Sequence, residues 1–224
     1  MTCSMESIEE IVKRGARALG LNLEAKQYTQ LQSYIDALVK WNRVYNLSAV
    51  HDAGDMAVKH ILDSLAAVPS LRTFTGNKAV QLLDVGSGAG LPGAVIAMAC
   101  PEIAVCCIDA SAKKAAFVQQ LAGSLSLGNL QSRHGRVQEL RGSFDVVTSR
   151  AFSSLADFCV ASRHALSPEG VWMAMKGKRP DEEIAALPED VEVFHVEQLH
   201  VPGLDAERCL LWMRRASTMD VQRR

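Results

Sequence analysis

The stretch that decides the fold is Leu82-Leu83-Asp84-Val85-Gly86-Ser87-Gly88-Ala89-Gly90-Leu91-Pro92-Gly93. It has the pattern of a buried strand that passes through a glycine-rich turn into a helix. Glycines let a chain turn tightly and approach a ligand closely, and the first turn of a helix offers free N–H groups. Pro92 fits that first turn, where its missing N–H costs nothing. The stretch therefore predicts a ligand-binding turn at the start of an α/β domain.

Two classes of cofactor fit this turn. The spacing Gly88-x-Gly90-x-x-Gly93 satisfies the dinucleotide pattern, whereas Asp84-x-Gly86-x-Gly88-x-Gly90 matches the loop that wraps the amino-acid half of S-adenosylmethionine. Asp109, at the end of the next predicted strand, can accept hydrogen bonds from both ribose hydroxyls of either cofactor. The chain beyond Asp109 is too short for the second half of most dinucleotide enzymes, which favours S-adenosylmethionine. A plain structural turn remains the alternative.

The composition is that of a globular protein without a strong charge bias. Among 224 residues 48% are hydrophobic, and 24 Lys and Arg stand against 25 Asp and Glu, for a formal net charge of -1. These values exclude a disordered or collagen-like chain and indicate one large domain with an attached subdomain at most. Because there is no global basic charge, any binding of nucleic acid has to come from a local patch.

The sequence shows no pattern of a membrane-spanning helix, an export signal or a metal site. The first residues carry mixed charges without an apolar stretch, so we expect a cytoplasmic protein. The longest uncharged run, 85–101, holds glycines and prolines and does not fit a membrane-spanning helix. The cysteines (3, 100, 106, 107, 159 and 209) show no metal-ligand spacing. We expect buried reduced thiols, with Cys106 and Cys107 on opposite faces of a strand.

The apolar pattern divides the chain into a helical start and an alternating remainder. Residues 1–70 predict helices, with a Ser7-x-x-Glu10 capping box and a second helix that turns Leu31, Tyr34 and Trp41 to one face. A third helix is expected to stop at Pro69, and residues 72–78 are the predicted linker. After the linker, short apolar runs alternate with longer helical stretches, which is typical of a parallel sheet buried on both faces.

The positions of these runs predict seven strands. Five strands are expected at 79–84, 103–108, 129–133, 144–149 and 171–176, with helices near 91–99, 112–125, 154–166 and 181–187. Two alternating segments, 191–199 and 208–214, predict an antiparallel hairpin at the sheet edge. The expected fold is therefore α/β: a Rossmann-like class I methyltransferase with a seven-stranded, mostly parallel sheet and a C-terminal antiparallel hairpin. In this prediction the domain spans 79–216 and binds S-adenosylmethionine, and an N-terminal helical extension, 1–70, packs on it.

Two further segments fall where ligands of open parallel sheets bind, beyond the carboxyl ends of the strands. In the loop 136–139, a backbone N–H and a polar side chain could read an adenine edge while Val137 packs on its face. An ordinary surface loop is an equal alternative. Arg150 ends the fourth predicted strand, beside the expected position of the transferred methyl group. It is either an anchor for a carboxylate or RNA, or one member of a structural ion pair.

The sequence lacks the motifs that some classes of methyl acceptor require, and this narrows the choice of acceptor atom. Exocyclic amines commonly need an Asn-Pro-Pro-Tyr-like tetrad after the fourth strand, where this chain has Ser149-Arg150-Ala151-Phe152. A pyrimidine carbon needs an attacking thiolate, and Cys159 on a predicted helix is a poor nucleophile. A ring nitrogen with a free lone pair needs neither of these, because the enzyme only has to position two reactants. Guanine N7 is such an atom.

The chain resembles one family, the bacterial small-subunit ribosomal RNA guanine-N7 methyltransferases, also called glucose-inhibited division protein B. The matching stretches run in order from about Trp41 to Arg208. They are Trp41-Asn42-x-x-Tyr45-Asn46-Leu47, His60-Ile61-Leu62-Asp63-Ser64, the glycine-rich stretch 83–93, Ser149-Arg150-Ala151-Phe152, Lys176-Gly177 and Val201-Pro202-Gly203-Leu204-Asp205-x-Glu207-Arg208. The combination is highly specific, although a glycine loop alone is common.

The resemblance implies methyl transfer from S-adenosylmethionine to N7 of one guanine in a loop of 16S ribosomal RNA. The partner would be that RNA or the small ribosomal subunit. Separately from the resemblance, we expect a monomer. Cofactor contacts carried over by position are Gly86, Leu91, Val137, Gln138 and Arg150. Asp84, Gly88 and Gly90 join them in the turn, and Asp109 falls at the acidic ribose ligand of the wider fold. Arg150 and Lys176 are the expected substrate-positioning residues, Lys176 through an RNA phosphate.

Two questions stay open in the sequence. His60 and Asp63 share a helix face, and a helix-packing pair is favoured over a role at the lip of the site. The activity has two alternatives, a small-molecule methyltransferase and a catalytically inactive RNA-binding module for ribosome assembly. Binding of S-adenosylhomocysteine distinguishes the inactive module from either enzyme, and the identity of the labelled product distinguishes the two enzymes.

Overall fold

A seven-stranded mixed sheet forms the centre of the protein. The computed structural model describes residues 7–150 and 152–216. The strands are β1 Gln81–Val85, β2 Ala104–Asp109, β3 Leu130–His134, β4 Phe144–Arg150, β5 Leu166–Lys176, β6 Val191–Leu199 and β7 Arg208–Arg215. Their order across the sheet is β3-β2-β1-β4-β5-β7-β6. Strands β1 to β5 pair in parallel, and β7 lies antiparallel between β5 and β6. The predicted sheet and its C-terminal hairpin are confirmed.

Helices cover both faces of this sheet. They are α1 Ile8–Ala18, α2 Ala25–Tyr45, α3 Ala53–Met56, α4 Asp63–Leu65, α5 Val68–Thr75, α6 Gly93–Ala99, α7 Ala112–Ser124, α8 Leu155–Ser162 and α9 Asp181–Ala185. A π-helix, Ala57–Leu62, joins α3 to α4, and short 3-10 turns lie at Val137–Glu139 and Arg163–Ala165. Within the described ranges no helix is long and apolar enough to cross a membrane.

The helix α1 begins as its sequence predicts. Ser7 accepts a hydrogen bond from the N–H of Glu10, and the Glu10 carboxylate accepts one in return from the N–H of Ser7. This capping box satisfies two donors that a helix start otherwise leaves free.

The structure corrects the predicted linker. Residues 72–75 belong to α5, which carries Pro69 in its first turn instead of ending there. Proline is well tolerated at the start of a helix, because its missing N–H has no partner there and its φ is already helical. The helix ends at Gly76 in the left-handed conformation, so only the short segment 76–80 leads into β1.

Two hydrophobic clusters pack on the two faces of the sheet. The first joins the helices before β1 to α6 and α7, and includes Leu82 and Cys107. The second packs α8 against the other face and includes Leu83 and Cys106. The two neighbouring cysteines therefore lie on opposite faces, as predicted. The five described cysteines are buried and free, whereas Cys3 lies outside the described residues.

Candidate active site at the carboxyl ends of the strands

A buried carboxylate lies beneath the glycine-rich turn. Asp84, on β1, is completely buried, and its Oδ2 accepts a hydrogen bond of 2.8 Å from the N–H of Gly93. Its Oδ1 is also buried and has no partner among the described residues. Burial raises the pKa of Asp84 to about 7, although the Gly93 N–H and the charge of Arg150 act in the opposite direction. A buried acceptor without a partner is costly, so this oxygen marks a place for a polar ligand or a water.

The glycines of the turn divide into two kinds. A Cβ at Gly93 would lie 2.6 Å from the sulfur of Cys107 and 2.8 Å from a carboxylate oxygen of Asp84, so Gly93 is needed for packing. At Gly88 a Cβ would meet nothing within 4 Å, and φ is +58°, in the region that favours glycine. Gly86 is open in the same way, whereas Gly90 packs against α6 and α7. The turn thus packs on one side and presents open backbone on the other.

The acidic residue of the next strand is tied to this turn. Asp109 ends β2, and its Oδ2 accepts a hydrogen bond of 2.9 Å from the N–H of Gly88. Its Oδ1 accepts one of 2.8 Å from the N–H of Ser111. Each carboxylate oxygen can accept a second hydrogen bond, so Asp109 keeps capacity for a ligand while it fixes the turn.

Three other predicted contacts lie at the end of the turn or at the same edge of the sheet. Leu91 is buried at its end, and Val137 is buried in the 3-10 turn that follows β3. Gln138, the next residue, is exposed. Because β3 lies beside β2, this 3-10 turn and Asp109 both lie at the carboxyl edge of the parallel strands.

A second group of charges centres on Asp63. Its side chain is only 3% exposed, and its Oδ2 accepts a hydrogen bond of 2.9 Å from Nη1 of Arg150. Its Oδ1 accepts one of 2.7 Å from Nε of Arg208. His60 instead bonds to the hydroxyl of Ser48 at 2.7 Å, so the hydrogen bonds of the two side chains do not join them to each other, and their role as a helix-packing pair stays a prediction. The sequence could not show that Asp63 binds Arg208, because the two residues are 145 positions apart.

Lys176 is already engaged by the protein. Its Nζ donates to the carboxylate of Glu183 at 2.8 and 3.0 Å and to the carbonyl of Phe152 at 3.3 Å. The side chain is 13% exposed. An RNA phosphate at Lys176 would have to compete with Glu183.

The Asp63 group forms part of the wall of a pocket at the carboxyl ends of β4 and β5. The pocket has a volume of about 720 Å³, and its charged or titratable walls are Lys59, His60, Asp63, Arg150, Lys176, Asp205 and Arg208. Burial lowers the pKa of His60, and the charge of Arg150 adds to this effect. No cluster of three or more His, Cys, Asp or Glu side chains within 7–150 and 152–216 is placed to hold a metal ion.

Solved structures of other proteins share the fold. A glycopeptide N-methyltransferase complexed with sinefungin gives a TM-score of 0.59 at 13% identity, over 70% of this chain and 88% of that one. TrmN from Thermus thermophilus gives a TM-score of 0.56 at 15% identity, over 71% of this chain and 53% of that one. At such low identities the likeness shows the fold, which is Rossmann-like and of the methyltransferase type.

Sequence comparison is more specific. The family model described as rRNA small subunit methyltransferase G matches residues 27–211. A relative from Acidovorax ebreus, named ribosomal RNA small subunit methyltransferase G, is 58% identical over 219 residues, which cover 94% of this chain and 97% of the relative. The chain therefore belongs to the rRNA small subunit methyltransferase G family.

Proposed function

We propose that the protein transfers a methyl group from S-adenosylmethionine to N7 of one guanine in a loop of 16S ribosomal RNA. Membership of the family supports the class of reaction and of substrate. The observation that carries the proposal is the unpartnered Oδ1 of Asp84 below an open glycine turn, beside a pocket that Arg150 lines.

The residues around the turn fit the cofactor in charge and in shape. Oδ1 of Asp84 suits the ammonium group of the methionine half, and Asp109 can accept the ribose hydroxyls. The open backbone of the turn leaves room for the ligand. In this assignment Gly86, Gly88, Gly90 and Leu91 line the methionine half, and Val137 and Gln138 line the adenine. Arg150 ends β4, which pairs with β1 below the turn, and its side chain lines the pocket.

The chemistry asks little of the protein beyond positioning. S-adenosylmethionine, when bound, supplies a methyl group on a positively charged sulfur. N7 of guanine has a lone pair and no proton, so the side chains need not remove one. Arg150 and the turn hold the two reactants in line, which is the part of the barrier that orientation can remove. Lys176, held by Glu183, supports the wall of the pocket at Phe152.

The RNA has to present its guanine outside a regular duplex. In an A-form helix N7 faces a deep and narrow groove that side chains cannot read. We therefore expect the target guanine in a loop or in a segment that binding opens.

The proposal is tested with purified protein, labelled S-adenosylmethionine and small ribosomal subunits, followed by mapping of the labelled nucleotide. We expect label on N7 of one loop guanine and calorimetric binding of S-adenosylhomocysteine in the micromolar range. If the subunits stay unlabelled and small metabolites added in their place take up the label, the protein is a small-molecule methyltransferase. RNA affinity without cofactor affinity would indicate an inactive binding module. Quenching of tryptophan fluorescence by NADH would indicate the dinucleotide alternative.

A further inference from the structure

We propose that the pocket of about 720 Å³ in front of Asp63 receives the acceptor guanine, and that Asp63 is a positioning residue that sets Arg150 and Arg208 as a two-arginine clamp for this base. The inference rests on the proposed function. It assigns a role to Asp63 and Arg208 in addition to the cofactor contacts.

The clamp joins three distant parts of the chain. Asp63 lies on α4, Arg150 ends β4, and Arg208 begins β7. One guanidinium bonds to each oxygen of the Asp63 carboxylate, at 2.9 and 2.7 Å. Because both oxygens are used and the side chain is 3% exposed, the orientation of each arginine depends on Asp63.

Both arginines keep donors for a ligand. Their side chains are 21% and 26% exposed and line the same pocket. The hydrogen bonds of Arg150 within the described residues use Nη1, to Asp63 and to the carbonyl of Lys59. Those of Arg208 use Nε and Nη1. The second terminal nitrogen of each guanidinium is thus left for an acceptor in the pocket.

A guanine supplies such an acceptor beside the reacting atom. Its Hoogsteen edge carries O6 and N7, and an arginine is the commonest partner of this edge in protein complexes with nucleic acids. If O6 takes the hydrogen bond, N7 stays free to react. The pocket lies at the carboxyl end of β4, and β4 pairs with β1, which leads into the glycine turn. The base and the cofactor would therefore meet at Arg150.

The carboxylate of Asp63 also reduces charge repulsion during the transfer. During transfer the lone pair of N7 forms the new bond to carbon, the carbon–sulfur bond breaks, and its electrons return to sulfur. Positive charge therefore passes from sulfur to the guanine ring, and no proton moves. Two unneutralised guanidiniums would oppose this change, whereas Asp63 offsets the charge of one of them and leaves their donors in place.

The π-helix just before Asp63 carries a buried nitrogen without a hydrogen-bond partner among the described residues. His60 precedes Asp63 by three residues on the π-helix Ala57–Leu62, and its Nδ1 is buried without a hydrogen-bond partner among the described residues. Short π-helical turns occur frequently at functional sites. The helical segment that leads into Asp63 is therefore irregular where the pocket forms.

The test compares Asp63→Asn, Arg208→Met and the double variant with the wild type, using small ribosomal subunits and saturating S-adenosylmethionine. We expect Asp63→Asn to lower kcat by about 100-fold, which is the cost of a misplaced reactant, with little change in KM. The double variant should be no slower than the slower single variant, because both substitutions break one clamp. Binding of S-adenosylhomocysteine to Arg208→Met should stay within about fivefold of the wild type, since this variant alters neither the turn nor the bond between Asp63 and Arg150.

Asp36→Asn is the matched control, because Asp36 is an exposed aspartate on α2 whose recorded partner is Gln32. It should keep wild-type kinetics. Wild-type-like kcat in a folded Asp63→Asn protein would overturn the inference, and so would strictly additive losses in the double variant. If Asp63→Asn does not fold, Arg208→Lys decides, since it keeps the charge but loses the planar fork and should lower kcat at least about tenfold. A wild-type protein that labels no guanine N7 would instead refute the proposed function.

Discussion

Gly88 and Gly20 offer a direct comparison at the scale of single residues. Both have positive φ, +58° and +72°, and a Cβ at either would meet nothing within 4 Å. They differ in place, because Gly88 lies in the turn below the proposed cofactor and Gly20 lies between α1 and α2.

We expect Gly88→Val to abolish binding of S-adenosylhomocysteine, because the new side chain fills the open face of the turn. Both Gly88→Val and Gly20→Val carry the strain of a left-handed residue, about 1–2 kcal/mol. Calorimetry with thermal melts of both variants separates the two effects. Retained binding in Gly88→Val, or lost binding in Gly20→Val, would show that the turn is misassigned.

Because of Asp84, we expect the folded protein to lose stability as the pH rises. The pKa of Asp84 rises from 3.8 to about 7 on folding, so the folded state binds the extra proton and the protein loses stability as the pH rises through this interval. Asn at this position does not titrate. The stability of Asp84→Asn relative to the wild type should therefore increase by about 3 kcal/mol from pH 5 to pH 8.

Melting curves of the ligand-free proteins at several pH values measure this gap. The same variant should bind S-adenosylhomocysteine more weakly, since the charge for its ammonium group is lost. A stability gap that does not change with pH would mean that Asp84 titrates normally in the folded protein.

The kind of residue at the site could be predicted from the sequence, whereas its partners could not. Asp109 bonds to Gly88 in the turn that follows Asp84, as the spacing indicated, because the carboxyl ends of adjacent parallel strands share one edge. The bonds of Asp63 to Arg150 and Arg208 depend on the register of two strands far apart in the chain. No local pattern encodes such a contact.

At the scale of elements, α2 holds the glycine turn in place. Tyr34 is completely buried, and its hydroxyl donates a hydrogen bond of 3.0 Å to the carbonyl of Ala89. Burial also raises the pKa of this hydroxyl, so it remains a donor at neutral pH. The helical period predicted that Tyr34 faces inward, but it could not identify the acceptor.

We expect Tyr34→Phe to cost about 1–3 kcal/mol of stability, since it leaves the carbonyl of Ala89 without this donor. Binding of S-adenosylhomocysteine should weaken as well, because Ala89 lies within the turn. Tyr28→Phe on the same helix keeps its ring near Lys13 and serves as the control. Equal melting temperatures for the two variants would argue against a role of α2 in fixing the turn.

The fate of Pro69 shows where local patterns fail for whole elements. A proline in the interior of a helix breaks it, whereas a proline in the first turn is well tolerated. The sequence alone does not say which of these positions Pro69 occupies. The neighbouring apolar residues Val68 and Leu71 are buried in the first cluster, so packing extends α5 beyond the expected stop. Tertiary packing thus determines that α5 forms here, which local helix propensity did not predict.

At the scale of the whole molecule, charge limits how the protein can hold RNA. With a formal net charge of -1, binding has to rely on a few local contacts. We expect on the order of three to five phosphate contacts, each worth about 0.7 in the slope of log affinity against log salt. Titration of a single-stranded RNA that contains the target loop, at several salt concentrations, measures this slope. A slope as steep as that of a strongly basic protein would contradict the expectation.

The five described thiols have a practical consequence. All are buried, and burial raises the pKa of each, to about 11 for Cys100 and about 12 for Cys159. Alkylating reagents attack thiolates that they can reach, so these five positions should react only when the sheet opens. Pulsed alkylation followed by mass spectrometry would then report cooperative opening of the domain with no engineered probe, and would show directly whether an inactive variant is misfolded or merely misaligned.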